Sequence, residues 1–352
     1  MAQTCFGVAE RWDYAPGLDN GLLQRNLSGV LMTGYLCRVC GSQSLKAKYT
    51  AREMMFGTRD TFEYDECLTC SSLQISDIPN QEALSRYYPK DYYSFSESSL
   101  ITRSTKEHFV RWLAGERDKA SLGQRSLLGQ LLKRIKPTPL LNILRFSGLR
   151  SGAKVLDVGC GAGALLNRLA DLGFRNLSGV DPLIDADKTT ISGVPIRRLR
   201  LDEVADSFDL IMFHHSFEHV LSPLDEMLAA YRNLLPEGRL LIRIPTPSSE
   251  AWETYGTDWV QLDAPRHLTL ISRSGMAMLA EKCGFFIVSV IDDSVGWSLM
   301  ASELYRRGIP LREQVLGSHY SRDRMQEYER RATAANAAER GDQAAFILAK
   351  TH

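Results

Sequence analysis

"KVLDVGCGAGALLNRLADLGF" (154–174) decides the fold. A short apolar run, KVLDVG, gives way to closely spaced glycines and then to LLNRLADLGF, a helix with a glycine at its end. Gly159, Gly161 and Gly163 allow a tight turn and a close ligand approach, as strand-to-helix junctions in open α/β sheets require. The same rhythm runs outward from this stretch. Strand-like segments follow at 177–181, 194–199, 208–214, 239–245 and 286–291, with helical stretches at 222–235 and 272–283. Strands alternating with helices predict an α/β fold with a doubly wound, mainly parallel sheet. "AAFILAK" (344–350) makes a seventh strand, expected antiparallel at one end of the sheet after a helical insertion over about 299–340.

The chain has 352 residues, 44% hydrophobic and 24% charged, which suits a soluble globular protein of one large domain and a smaller one. Lys+Arg and Asp+Glu both number 42, so the whole chain carries no electrostatic footprint for nucleic acid. No apolar run approaches the length of a membrane span, and the first residues lack the apolar core of a signal peptide. These features predict a cytoplasmic protein that does not insert into membranes and leave a homo-oligomer open. The expected organisation is an arm over 1–30, a four-cysteine module over 31–75, an aromatic and helical connector over 76–150, and the sheet domain over 151–352. The connector begins near "YYPKDYYSF" (87–95), an aromatic cluster suited to meeting a ligand or packing on the main domain.

Cys37-Arg-Val-Cys40 and Cys67-Leu-Thr-Cys70 are two CxxC turns separated by strand-like sequence. Two such turns present four thiolates as a tetrahedron, the pattern of a structural zinc site. A redox pair needs only one of them. Cys5, Cys160 and Cys283 are read as unpaired.

The glycine turn also satisfies the loose Gly-x-Gly-x-x-Ala pattern of dinucleotide sites. Asp157, at its mouth, would repel a diphosphate and would suit a ligand bearing an ammonium group instead. Asp181, ending the second strand, is placed to accept ribose hydroxyls from either kind of cofactor.

VLDVGCGAG, GVD, FDLIMFHHSFEHV and LLPEGRLLI, in that order, resemble the successive motifs of class I S-adenosylmethionine-dependent methyltransferases. The resemblance covers about 150–295 plus the last strand and implies a Rossmann-like seven-stranded fold with S-adenosyl-L-methionine as cofactor. By position it implies that Gly159, Gly161 and Gly163 shape the methionine pocket and that Asp157 serves its amino-acid end. It likewise implies that Asp181 holds the ribose, that Asp202 falls near the adenine, and that His214 and His215 face methionine and substrate. The four-cysteine module and "DAPRHL" narrow the resemblance to enzymes of sugar, surface-polysaccharide or secondary-metabolite methylation.

"HHSFEHV" (214–220) fits a His-x-x-Glu-His zinc motif through His215, Glu218 and His219, but that motif needs a regular helix and this segment begins in a strand. Quinone-pathway O-methyltransferases carry Glu-x-x-Glu-His here and can bind a divalent ion; His215 replaces the first glutamate and removes a hard ligand. Glu218 and His219 are otherwise read as capping and orienting the following helix. His215 is the candidate general base for a hydroxyl acceptor.

The second candidate region is "WETYGTDWVQLDAPRHL" (252–268). Trp252, Tyr255 and Trp259 are candidates to stack on a sugar or ring, Asp263 and Arg266 to bind substrate, and His267 to act as base or substrate ligand. The composite expectation is methyl transfer to a small-molecule or glycan-precursor acceptor, most simply at oxygen, with carbon or nitrogen as alternatives. A nonenzymatic zinc-ribbon adaptor and a dehydrogenase are the competing classes.

Overall fold

Apolar periodicity becomes twelve strands among the described residues, 34–88 and 105–351 of the computed structural model. In chain order they are β1 (Leu45–Arg52), β2 (Thr61–Cys67), β3 (Leu73–Ile75), β4 (Val155–Val158), β5 (Leu177–Val180), β6 (Lys188–Thr189), β7 (Pro195–Arg197) and β8 (Phe208–His214). The last four are β9 (Leu234–Pro245), β10 (Thr269–Leu270), β11 (Phe285–Asp292) and β12 (Gln343–Lys350). The arm over 1–30 and residues 89–95 of the aromatic cluster lie outside the described residues.

The main sheet has the order β11-β12-β9-β8-β4-β5-β7-β6. β4, β5, β7, β8 and β9 run parallel, whereas β12 is antiparallel to both of its neighbours. Two expectations need correction. The sheet has eight strands, because the two residues of β6 pair with β7, a ladder too short to show as periodicity. The last strand is not at an end but lies between β9 and β11. Its run is buried from Gln343 to Ala349, so it needs cover on both faces, while β11 alternates half-buried and exposed positions after its first residue, as an edge can. The period of two divides the core. Ile211 and Phe213 of β8 face one apolar cluster, Leu210 and Met212 the other. The insertion appears as helices Gly296–Arg306 and Arg322–Ala337.

β4 lies between β5 and β8, where the chain's progression across the sheet reverses. The crevice at the carboxyl ends of such strands is where open α/β sheets bind ligands. The glycine turn leaves β4 there, and His214 ends β8 beside it.

β1, β2 and β3 form an antiparallel sheet that β10 completes, through Gln74 opposite Thr269 and Leu73 opposite Leu270. Arg38 Nη2 donates to the carbonyls of Ile75 and Leu268 at 2.8 and 2.9 Å, and the Ser272 hydroxyl donates to the carbonyl of Cys70. Val39, Cys67 and Cys70 share one core cluster with Ile271, Met276 and Leu279. The cysteine module is therefore sewn into the segment that carries His267.

Candidate active site at the carboxyl edge of the sheet

The glycine turn is left-handed at all three glycines, with φ of +71°, +55° and +76° at Gly159, Gly161 and Gly163. A Cβ at Gly159 would meet the Ser216 Cβ at 2.4 Å, so only glycine lets the loops after β4 and β8 close on each other. Ser216 Oγ fastens them by donating to the Val158 carbonyl at 2.6 Å. Asp181 takes the Gly161 and Leu183 amides on its two oxygens, each at 2.8 Å. Asp157 is buried, and burial and then the Asp181 charge push its carboxyl up to about 8. Among the described residues neither acid has a salt-bridge partner, and no cation contributes to the Asp157 shift. Two acids without a counter-charge, beside a turn that admits close approach, suit a cationic ligand and oppose a diphosphate.

After β8, His215 takes a left-handed conformation (φ +52°), and Phe217–His219 form a single 3-10 turn. The next helix begins at Pro223 and is capped by Ser222, whose Oγ accepts the Asp225 amide. Glu218 and His219 therefore do not cap it, and the zinc-protease spacing lacks its helix. Glu218 is fully buried, with neither oxygen hydrogen-bonded. Its Oε1 lies 3.3 Å from His215 Nδ1 and 3.8 Å from His267 Nε2. Burial opposes its charge, yet His215, His219 and His267 together hold the carboxyl down to about 2.

The imidazole protons follow from their partners. His219 Nδ1 is 2.8 Å from the Arg266 carbonyl, and His267 Nδ1 is 2.7 Å from the Gln261 carbonyl. A carbonyl only accepts, so each Nδ1 carries the proton and each Nε2 keeps its lone pair. Burial, aided by His219, lowers His267 to about 4, so it is neutral at pH 7. One ligand atom from each of Glu218, His219 and His267 lies within 4.8 Å of the others. These converging acceptors suit a proton, a divalent cation or a substrate hydroxyl. Tyr88, whose hydroxyl is 3.2 Å from His219 Nδ1, joins this cluster from the start of the aromatic stretch.

The 252–268 segment differs from its expected role. Arg266 has no exposed surface: it forks onto Asp263 (2.9 and 2.5 Å) and pairs with Glu53 at 3.0 Å. Neither Arg266 nor Asp263 is left to bind substrate, because both close a buried ion cluster against the cysteine module. Trp259 is fully buried with Nε1 donating to Asp342 at 2.9 Å, and Tyr255 is buried beneath Arg306, so neither offers a stacking face. Trp252 packs edge-on against Tyr49 and Trp259. Sequence reasoning missed Glu53, which lies 213 positions from its partner and carries no motif. Glu53→Ala should leave the Arg266 charge half-paired in the interior and cost about 3–5 kcal/mol in urea unfolding, with Glu53→Gln costing less.

His214, at the end of β8, has both ring nitrogens without hydrogen bonds, and burial pushes its pKa well below the ordinary value. Asp202 is exposed in the turn Leu201–Glu203 and accepts from Arg200, which keeps its carboxyl low.

The cysteine sulfurs lie within 4.8 Å of one another, with Cys37 to Cys70 at 3.7 Å and Cys40 to Cys67 at 3.5 Å. Sulfurs at the corners of a tetrahedron around zinc would be about 3.8 Å apart, given Zn–S of about 2.3 Å. The two knuckles match. The Gly41 amide donates to the Cys37 carbonyl and the Ser71 amide to that of Cys67, both at 2.9 Å, and Gly41 and Ser71 are both left-handed. The donor set fits zinc.

Residues 131–290, which include the glycine turn, both acids and the histidine cluster, match the family described as "Methyltransferase domain". Over this segment the fold is the Rossmann-like fold of class I S-adenosylmethionine-dependent methyltransferases. Among curated proteins, the chain is 33% identical over 128 residues to a ubiquinone biosynthesis O-methyltransferase of Haemophilus ducreyi, covering 30% of this chain and 54% of that one. It is 27% identical over 157 residues to a tRNA U34 carboxymethyltransferase of Serratia proteamaculans, covering 40% and 47%. The chain thus spans about half the length of the curated relatives it matches. Among solved structures, the O-methyltransferase of a trans-AT PKS multienzyme of Brevibacillus brevis, in complex with S-adenosyl-L-homocysteine, is similar over 66% of this chain and 79% of that one. The identity is 17% and the TM-score 0.38.

Proposed function

We propose that the chain binds S-adenosyl-L-methionine at the edge formed by Asp157 and Asp181 and directs methyl transfer to a hydroxyl of a small-molecule or glycan-precursor acceptor. The observation that carries this reading is the pair of buried acids, without a salt-bridge partner among the described residues, at a left-handed glycine turn. When bound, the cofactor supplies an electrophilic methyl group on a sulfonium centre. Asp157 faces the ammonium end and Asp181 the ribose. Methyl transfer is an in-line displacement, so orientation contributes most and a base assists.

His215 is the best-placed base. Its ring is part-exposed at the end of β8, whereas His267 is buried and fixed to a backbone carbonyl. Glu218 faces His215 Nδ1 and stabilises the imidazolium that forms when Nε2 takes the hydroxyl proton. His219 and His267 position the acceptor beside Glu218. The four cysteines hold a structural zinc ion, and a cytoplasmic setting would keep their thiols reduced.

Incubating the protein with methyl-labelled cofactor and a small-molecule extract should yield a labelled, methyl-bearing product. His215→Ala should slow its formation about 10²–10⁴-fold while leaving S-adenosylhomocysteine affinity unchanged. Equal loss of binding and turnover in that variant would mean that His215 shapes the pocket and is not the base.

A further inference from the structure

The helix Leu127–Ile135 has its amphipathic pattern turned outward. LLGQLLKRI places Leu127, Leu131 and Ile135 on one stripe at intervals of four. A helix with such a stripe ordinarily buries it. Here the buried residue is Gly129, where an added Cβ would meet the Glu116 backbone carbonyl oxygen at 2.1 Å. The helix therefore presses its glycine onto helix Thr105–Ser121. Ser126 fixes that seating by accepting the Gly129 amide and donating to Glu116 at 2.7 Å. The stripe faces solvent, with Leu127 94%, Ile135 74% and Leu131 58% exposed.

The rim of this stripe is basic. Residues 125–136 contain four cations, Arg125, Lys133, Arg134 and Lys136, and no acid, in a chain whose net charge is zero. Arg125, Arg134 and Lys136 are exposed. We propose that this helix docks on an anionic lipid surface, its apolar stripe entering the headgroup boundary and its cations meeting lipid phosphates. The charge selects this occupant. A second copy would bring cations against cations. A nucleic acid would want cations at the centre of the face, where this one has leucine and isoleucine. At nine residues the helix lies on the surface and does not span it.

Co-sedimentation of the full chain with vesicles tests this. The protein should bind vesicles of phosphatidylglycerol and phosphatidylcholine, bind phosphatidylcholine alone much less, and lose binding in high salt. The triple variant Leu127→Gln, Leu131→Gln, Ile135→Gln alters exposed positions only. It should lower partition at least about tenfold while binding S-adenosylhomocysteine as before. Arg134→Glu with Lys136→Glu should lower it as well. Absence of binding to anionic vesicles, or binding that both variants retain, overturns the proposal. So does a concentration-dependent dimer, or RNA binding, that the leucine variant abolishes while vesicle binding is absent.

Discussion

Asp157→Asn should lose about 10²-fold in affinity for S-adenosylhomocysteine and yet be the more stable protein above about pH 8. The two effects share one cause. In the folded chain burial and the Asp181 charge push the Asp157 carboxyl up to about 8, whereas in the unfolded chain it ionises near 3.9. Between those values the unfolded state gives up the proton and the folded state keeps it. Wild-type stability therefore falls as pH rises from about 4 to about 8, and the asparagine variant escapes that loss. A ligand ammonium reverses the balance by favouring the carboxylate, and asparagine cannot offer that charge-assisted contact, worth about 1.5–3 kcal/mol. Calorimetry for affinity and thermal melts at pH 5 and pH 9 would check both halves. A variant that binds normally, or melts lower at pH 9, would remove Asp157 from the site.

The second large effect concerns the cysteine module. Cys67→Ser with Cys70→Ser should abolish zinc binding, expose residues 35–75 to hydrogen exchange and stop turnover, with S-adenosylhomocysteine affinity kept within about tenfold. Structural zinc supplies about 10–16 kcal/mol in small peptides, as much as a whole domain's net stability. Its loss would free β3 from β10, along with the Tyr64 hydroxyl that holds the His267 carbonyl at 2.8 Å. The Glu218, His219 and His267 cluster would lose its support, whereas Asp157 and Asp181 sit on β4 and after β5, in the other sheet. Full turnover by the metal-free protein would mean that the module does not position this cluster.

The glycine turn and Asp157 were legible because their meaning is local. Three glycines and an aspartate within seven positions define a backbone shape and a charge without reference to the rest of the chain. The CxxC pairs were legible for the same reason. The 252–268 segment was not. Its aromatics and charges look alike whether they face ligand or interior, and what buries Arg266 is Glu53, on the far side of the cysteine module. The position of β12 was hidden similarly, since its apolar run shows that both faces are covered but not which strands flank it. The outward stripe of Leu127–Ile135 shows the converse, for its periodicity is plain in sequence while its direction depends on Gly129 meeting a neighbouring backbone.

Titration calorimetry of the wild type with S-adenosylhomocysteine and with NADH, at pH 7 in buffers of different ionisation enthalpy, tests the cofactor assignment most directly. One site for S-adenosylhomocysteine and none for NADH are expected, with net release of protons on binding, as a carboxyl of pKa about 8 gives up its proton to meet the ligand's ammonium. Binding of NADH in preference to S-adenosylhomocysteine, or of neither, would contradict it.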